Sequence, residues 1–298
     1  METQRAETIE APAARLSIIL REGTSRLIRR GIDSAALDAA VLLGHALDLT
    51  REQLVFFPDR VLSLGQLRAF ERLLGRRCAH EPTAYITGKR EFWSLNFKVT
   101  PAVLIPRPES ERVVELVLEE IGDLRRTLPL RILDVGTGSG ALAVALASEL
   151  SCARIMATDI SSAALAVAAE NAARNCVADR IEFMHSDLFE RIPTGDSIDL
   201  IVSNPPYVRR AEIAVLDPGV SHWEPRAALD GGTDGLDFYR RIAAPGFDRL
   251  RPDGAVVVEI SAGMGEAVRA IFKDSAGWAE IEIHHDYAGK ERVVVARK

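Results

Sequence analysis

The chain has little that would suit it to an oxidising or membrane environment. Its three cysteines, Cys78, Cys152 and Cys176, are odd in number, widely spaced and free of any Cys-x-x-Cys pair. That pattern argues against a disulfide framework or a cysteine zinc site and marks them as reduced thiols. No run approaches the ~20 apolar residues of a membrane span. Arg21 and Glu22 end the run that starts at Leu16, and Arg154, Asp159 and Glu170 interrupt the Ala-rich middle. The opening METQRAETIEAPAARL lacks the apolar stretch of a secretory signal, so the cytoplasm is the expected location. Prolines number only 14, and 47% of the 298 residues are hydrophobic against 27% charged, which excludes a disordered or collagen-like chain. This length suits a large α/β domain, alone or with an added piece.

An excess of positive charge is missing too. The net charge is −6, and residues 1–88 carry 12 basic and 11 acidic side chains, leaving 25 and 32 for the remainder. The front part is near neutral and the larger part acidic. An enzyme acting on duplex nucleic acid needs positive surface against the phosphates, so this distribution disfavours a nucleic-acid substrate.

What is present falls into three stretches. Residues 1–84 read as helices only. Asp33 suits an N-cap, with Leu37, Ala40, Val41 and Gly44 on one face of the following helix, and Ser63 with Gln66 has capping-box spacing ahead of a Leu67, Phe70, Leu74 stripe. Three to five short helices are expected, with His45 and His80 isolated in structural or surface roles. Residues 85–106, rich in aromatic and β-branched types, read as a hairpin or extended linker. Residues 107–298 alternate helices with the strands RILDVG, RIMATDI, IEFMHSD, DLIVSNPP, GAVVVEIS, AEIEIHHD and RVVVARK. That alternation indicates a doubly wound, mainly parallel sheet. The loop DYAGKE is too short for a parallel crossover, so the last two strands should form an antiparallel hairpin. The expected class is therefore α/β: a Rossmann-like seven-stranded sheet of the S-adenosylmethionine-dependent methyltransferase kind, with a small N-terminal helical domain.

Asp134-Val135-Gly136-Thr137-Gly138-Ser139-Gly140 ends the first of these strands and opens a helix. Its glycines permit a tight turn and close approach of backbone N–H groups to a ligand. Asp159 closes the second strand, 19 residues beyond Gly140, where a carboxylate can accept both hydroxyls of a ribose. This much fits NAD and S-adenosylmethionine equally well. At the end of the third strand, Asp187 and Leu188 stand where a carboxylate and an apolar wall would clasp an adenine.

The fourth strand ends in Ser203-Asn204-Pro205-Pro206-Tyr207, which the sheet topology places opposite the glycine turn. The Asn204 side-chain oxygen and the Pro205 carbonyl can accept the two hydrogens of a planar NH2 group. Tyr207 can stack on its face, and the prolines stiffen the loop. Fixed carbonyl dipoles favour a nitrogen that becomes positive during attack on a sulfonium methyl, so no catalytic His, Cys or Lys is needed. The tetrapeptide serves both the glutamine amide and the exocyclic amine of adenine, and alone does not choose.

Further blocks accompany these motifs: Glu91-Phe92-Trp93 with Phe97 and Val99; Leu104-Ile105-Pro106-Arg107-Pro108-Glu109; Glu224-Pro225 with Ala228-Leu229; Gly231-Gly232-Thr233-Asp234-Gly235-Leu236; and Asp286-Tyr287-Ala288-Gly289 with Arg292-Val293-Val294. The front segment adds Leu37-Asp38-Ala39-Ala40, Arg76-Arg77 and Glu81-Pro82. Together they make the chain resemble, along nearly its whole length, the HemK-type peptide chain release factor glutamine methyltransferases. The resemblance implies methyl transfer from S-adenosylmethionine to the glutamine amide of the Gly-Gly-Gln loop of class I release factors, a protein partner, with no membrane and no direct nucleic-acid binding. It implies that Gly136, Thr137, Gly138, Ser139, Gly140, Asp159 and Leu188 line the cofactor, that Asn204, Pro205, Pro206 and Tyr207 hold the glutamine, and that Phe92, Arg107 and Glu109 shape the mouth of the site. Glutamine methylation of a ribosomal protein is the near alternative, against which Arg107-Pro108-Glu109 speaks, and DNA adenine methylation the distant one. Two departures from the family pattern stand after the fifth strand: Ser261 replaces a glycine and Met264 a glutamine. Ser110 stands where the family usually has threonine and keeps the hydroxyl.

Overall fold

The computed structural model describes residues 15–122, 127–195 and 197–298. These divide into two compact units, with the boundary between Thr87 and Gly88.

The first unit contains five helices among its described residues: α1 (Leu16–Arg29), α2 (Ala35–Leu47), α3 (Arg51–Phe56), α4 (Leu64–Cys78) and α5 (Thr83–Thr87). The expected capping box at Ser63 and Gln66 starts α4, and a second one, Thr50 with Gln53, starts α3. Each satisfies two backbone N–H groups that a helix start leaves without partners. Leu27, Leu42, Leu43, Phe70 and Leu74 form the centre of its core. A methyl at Gly23 would lie 2.8 Å from the Phe70 ring, so glycine there lets α1 approach α4.

Two expectations for α2 fail. Ser34, not Asp33, is the N-cap residue, and its hydroxyl donates to Asp38 Oδ2 at 2.7 Å instead of capping a backbone N–H. The buried stripe is Ala35, Asp38, Ala39, Leu42, Leu43, Gly44 and Leu47, so of the expected face Gly44 is buried, Ala40 and Val41 are half-buried, and Leu37 is 47% exposed. The reason is electrostatic. Asp38 is buried because Arg77 of α4 donates to it at 2.7 Å, and a charged residue in the core stripe hides that stripe from a count of apolar positions.

In the second unit, β1 (Lys89–Phe92) and β2 (Leu95–Lys98) form a hairpin turned by Trp93 and Ser94, both at positive φ. A 3-10 turn at Pro108–Ser110 leads into α6 (Glu111–Ile121). Then follow β3 (Arg131–Val135), α7 (Ala141–Glu149), β4 (Arg154–Asp159), α8 (Ser162–Arg174), β5 (Ile181–His185) and β6 (Ile198–Ser203). After the short α9 (Pro218–Ser221) come α10 (Asp237–Phe247), β7 (Leu250–Glu259), α11 (Gly265–Ser275), β8 (Glu280–His285) and β9 (Glu291–Arg297). The seven-stranded sheet has the order β5-β4-β3-β6-β7-β9-β8. Its first five strands are parallel, and β9 runs antiparallel between β7 and β8, as the short last loop requires.

Strict alternation along the central strands builds the core on both faces. Ile132, Leu200, Val202, Val257, Val293 and Val295 face the side carrying α6, α7 and α8. Leu133, Ile201, Val256, Val258 and Val294 face the side carrying α10 and α11. Burial on both faces explains why these strands read as continuous apolar runs, each such side chain contributing ~1.5–3 kcal/mol. Among the described residues no helix is long and apolar enough to cross a membrane.

Because the Asp38–Arg77 pair is the buried ionic contact between α2 and α4, removing one partner strands the other charge. Asp38→Ala should lower the unfolding free energy of the first unit by about 3 kcal/mol or more, measured by urea denaturation. A loss under about 0.5 kcal/mol, the level of a neutral surface change, would contradict that account.

Candidate active site

The glycine turn joins β3 to α7 with Gly136, Gly138 and Gly140 at φ of 75°, 55° and 81°, values that favour residues without a Cβ. Backbone N–H groups of Gly136 and Thr137 both donate to the Thr158 carbonyl of β4 at 2.9 Å. A Cβ at Gly140 would lie 3.1 Å from that of Ala168, so this glycine sets the approach of α7 to α8. Asp159 is pinned by two backbone donors, Gly138 N–H to Oδ2 at 2.9 Å and Ser161 N–H to Oδ1 at 2.8 Å. The turn and the carboxylate that closes β4 are thus one assembly.

Asn171 of α8 holds that assembly from behind. Fully buried, it accepts from Lys98 N–H at 2.7 Å and donates to the Lys98 and Ser139 carbonyls at 3.0 and 2.8 Å. Asp134, also buried, accepts from the Thr137 hydroxyl at 2.6 Å. Burial pushes its carboxyl up to about 7, against the opposing pull of Thr137 and with a further push from Asp159.

Asp187 and Leu188 follow β5 as expected, half-buried. Asp187 pairs with Arg241 of α10 at 2.8 Å, and Leu188 has φ of 47°.

The Asn-Pro-Pro-Tyr loop leaves β6 beside the glycine turn, because β3 and β6 are parallel neighbours and the Ser203 hydroxyl donates to the Val135 carbonyl at 2.6 Å. Asn204 Nδ2 donates to Ser110 Oγ at 3.0 Å. Ser110 in turn donates to Glu259 Oε2 at 2.5 Å, and the Tyr207 hydroxyl donates to Glu259 Oε1 at 3.3 Å. Glu259, at the end of β7, is 1% exposed, and burial pushes it up to about 7 while Ser110, Arg292 and Tyr207 favour its charge. Burial and the nearby Glu259 also hold the Tyr207 phenol well above its ordinary range. Among the described residues nothing donates to Asn204 Oδ1 or to the Pro205 carbonyl. Behind the loop, a Cβ at Gly231 would meet the Tyr207 backbone at 2.8 Å and one at Gly235 the Tyr207 carbonyl at 2.5 Å. These two glycines let the 231–235 segment pack against the loop.

Chemically, this is a glycine cradle with a fixed carboxylate facing a rigid loop that offers two carbonyl acceptors. The family description "PrmC N-terminal domain" matches residues 19–88 and "Methyltransferase small domain" matches residues 115–216. A release factor glutamine methyltransferase of Cereibacter sphaeroides is 43% identical over 279 residues, spanning 93% of this chain and 96% of its own length. The chain belongs to the release factor glutamine methyltransferase family. A relative of the same name from Vibrio cholerae is 41% identical over 93% of this chain and 95% of its own. Among solved structures, the catalytic domain of hMettl16 in complex with a MAT2A 3′UTR hairpin superposes with a TM-score of 0.57 at 17% identity, covering 74% of this chain and 80% of that one. A Pyrococcus furiosus methyltransferase gives 0.50 at 18%, covering 68% and 89%. At such identities these two speak for the fold alone. The protein is a methyltransferase with the α/β fold of that class.

Of the three residues the family resemblance put at the mouth, Phe92 is 1% exposed and packs edge-on against Phe97 at 6.0 Å in the core, so it lines no opening. Arg107 is bound to the buried Glu224, which also accepts from the Ile105 N–H, and Glu109 is exposed on the turn before α6. Met264, a departure from the family pattern, packs against the core.

Sequence reasoning missed Asn171 and the use of Glu259. Each carried a signal: one amide in the Ala-rich SAALAVAAENAAR helix, and one carboxylate ending the apolar run AVVVEI. A polar group where only apolar ones belong must have buried partners.

Asp134 has a folded-state value raised from about 3.8 to about 7, so its contribution to stability is complete below about pH 4 and is lost as pH rises through 7. The wild-type unfolding free energy minus that of Asp134→Asn should therefore fall between pH 4 and 8 in thermal melts. A difference that rises with pH would contradict the assignment.

Proposed function

We propose that the enzyme transfers a methyl group from S-adenosylmethionine to the side-chain amide nitrogen of the glutamine in the Gly-Gly-Gln loop of class I release factors. The observation that carries this reading is the pair of unengaged acceptors, Asn204 Oδ1 and the Pro205 carbonyl, on a loop fixed beside the glycine turn.

The residues fit the methyl donor. A Cβ at Gly136 or Gly138 would meet nothing within 4 Å, so space is open over the turn. Each Asp159 oxygen holds one backbone N–H and has a further lone pair for a ribose hydroxyl. Gly136, Thr137, Gly138, Ser139 and Gly140 would take the polar end of the molecule, Asp159 the ribose, and Asp187 and Leu188 the base, with Asn204 bordering both ligands. When bound, S-adenosylmethionine supplies an electrophilic sulfonium methyl.

The chain's own groups do the rest. Asn204 Oδ1 and the Pro205 carbonyl accept the two hydrogens of the glutamine NH2, and Pro206 and Tyr207 bound its plane. An amide nitrogen is a poor nucleophile because its lone pair is delocalised. As it gains a bond to carbon its charge rises, and two preset carbonyl dipoles then bind it more strongly than in the ground state. Holding it in line contributes up to ~7–11 kcal/mol in favourable cases. The surplus proton leaves the nitrogen afterwards, when it is acidic enough for water to take.

The helical unit, residues 1–84 in the sequence-based division, is assigned to recognition of the folded release factor. In support, it leaves Val55, Phe56 and Phe57 at 78%, 76% and 55% exposure, an apolar surface suited to a protein partner. A release-factor substrate places the enzyme in the cytoplasm.

Labelled methyl should pass to a class I release factor and not to its loop Gln→Ala variant. Asn204→Ala should lower kcat by about 10²–10³-fold, as removal of one transition-state dipole does elsewhere. Equal labelling of the loop variant, or label in DNA or a ribosomal protein with the release factor inert, would overturn the substrate assignment.

A further inference from the structure

Asn204 can serve as an acceptor only if its amide presents oxygen, not nitrogen, to the substrate. Nothing in the Asn-Pro-Pro-Tyr loop decides this: the two ends of a side-chain amide have the same shape, and a half-turn exchanges them. The decision lies on a different strand. We propose that Glu259 and Ser110 are positioning residues that set which end of the Asn204 amide faces the substrate and hold Tyr207 beside it. The inference rests on the functional reading above.

The argument is one of proton counting. A serine hydroxyl has one proton to give. Ser110 gives it to Glu259 Oε2 at 2.5 Å, a bond to a carboxylate that cannot run in reverse. Toward Asn204 at 3.0 Å the hydroxyl is left only with lone pairs, so it must receive an N–H, and Nδ2 turns toward it. Oδ1 is thereby committed to the other side. The second Glu259 oxygen accepts from Tyr207 at 3.3 Å, so both working side chains of the loop hang from one buried carboxylate. Its own backbone is tied down, since the Tyr239 hydroxyl of α10 donates to the Glu259 carbonyl at 2.8 Å.

Protonation of Glu259 would reverse the chain. A carboxylic acid can donate to Ser110, which then donates to Asn204 and draws Oδ1 toward itself. Nδ2 would face the glutamine NH2, donor against donor, and methyl transfer would stop. The groups facing Glu259 are Ser110 and Glu109 from the turn before α6, Tyr207 from the loop after β6, Tyr239 from α10 and Arg292 from β9. Arg292 is shared with Asp286 at 3.2 Å, and Arg107 adds its charge near Tyr207. Burial outweighs the single shared cation and holds the carboxyl near 7, so the reversal falls in the range where the enzyme can be assayed.

The test uses the full chain and a class I release factor. Single-turnover methyl transfer is followed from pH 6 to 9, with S-adenosylmethionine affinity and thermal midpoint measured for each variant. In the wild type the rate should climb with pH through a step near 7. Ser110→Ala should lose at least about tenfold in kcat, one transition-state contact of ~1.4 kcal/mol, with methyl-donor affinity kept within about twofold. Ser110→Thr, which keeps the hydroxyl, should recover most of that rate. Glu259→Gln, which cannot titrate, should lose the step. Asp134 titrates in the same range, so the step assigned to Glu259 is the one absent from this variant and present in Asp134→Asn.

A folded Ser110→Ala enzyme with the wild-type rate, or a step that survives in Glu259→Gln but is absent from Asp134→Asn, would overturn the proposal. Should Ser110→Ala fail to fold, the Glu259→Gln and Asp134→Asn profiles together decide. If the wild type leaves release factors unmethylated, the functional reading fails instead. The relay is then read by NMR in the free protein, where the Asn204 side-chain NH2 signals should shift with pH near 7 in the wild type and stay still in Glu259→Gln. Signals that do not titrate in the wild type would overturn the relay independently of substrate.

Discussion

The site depends on β3 and β6 lying side by side in parallel. Ile132, Leu133 and Asp134 pair with Leu200, Ile201 and Val202, so the two strands end together, and the Ser203 hydroxyl closes the seam on the Val135 carbonyl. The sheet extends outward from this seam, β4 and β5 on one side and β7, β9 and β8 on the other. In open α/β sheets ligands bind outside the carboxyl ends of the strands, at the point where the strand order reverses. The glycine turn after β3 and the Asn-Pro-Pro-Tyr loop after β6 therefore lie side by side, although some 65 residues separate them in sequence.

Around the seam the molecule spends its polar groups unusually. Asp134, Glu259 and Asn171 are all buried; Asp134 is held by Thr137 of the turn that follows it, whereas Glu259 and Asn171 are engaged by neighbours from other elements. Burying a charge is unfavourable unless hydrogen bonds compensate, and a partly satisfied network is worse than an apolar core. Such groups persist where they hold something in place. Asn171 couples β2 to the glycine turn, and Glu259 couples the turn before α6 to the loop after β6. Buried side chains thus hold the glycine turn and the Asn-Pro-Pro-Tyr loop from behind.

Much of this could be read without coordinates. Apolar runs bounded by turn residues located the seven strands, the short DYAGKE loop required the reversed pairing of β8 and β9, and the two motifs fall at the ends of β3 and β6. Two of the failures share one cause. The α2 stripe was misplaced because Asp38 lies in the core, and Glu259 escaped notice as the end of a strand. Periodicity counts apolar side chains, and a buried charge enters that count with the wrong sign. Only its partner explains it, and the partners are distant: Arg77 lies 39 residues from Asp38, and Ser110 lies 149 from Glu259.

The sequence by itself determined the α/β class, the glycine turn after β3 and the Asn-Pro-Pro-Tyr loop after β6, since local backbone chemistry specifies all three. The orientation of the Asn204 amide was decided only by the tertiary structure. An asparagine amide has two ends of equal shape, and which one turns toward Ser110 depends on a hydrogen-bonded proton whose direction is set by a carboxylate on a separate strand.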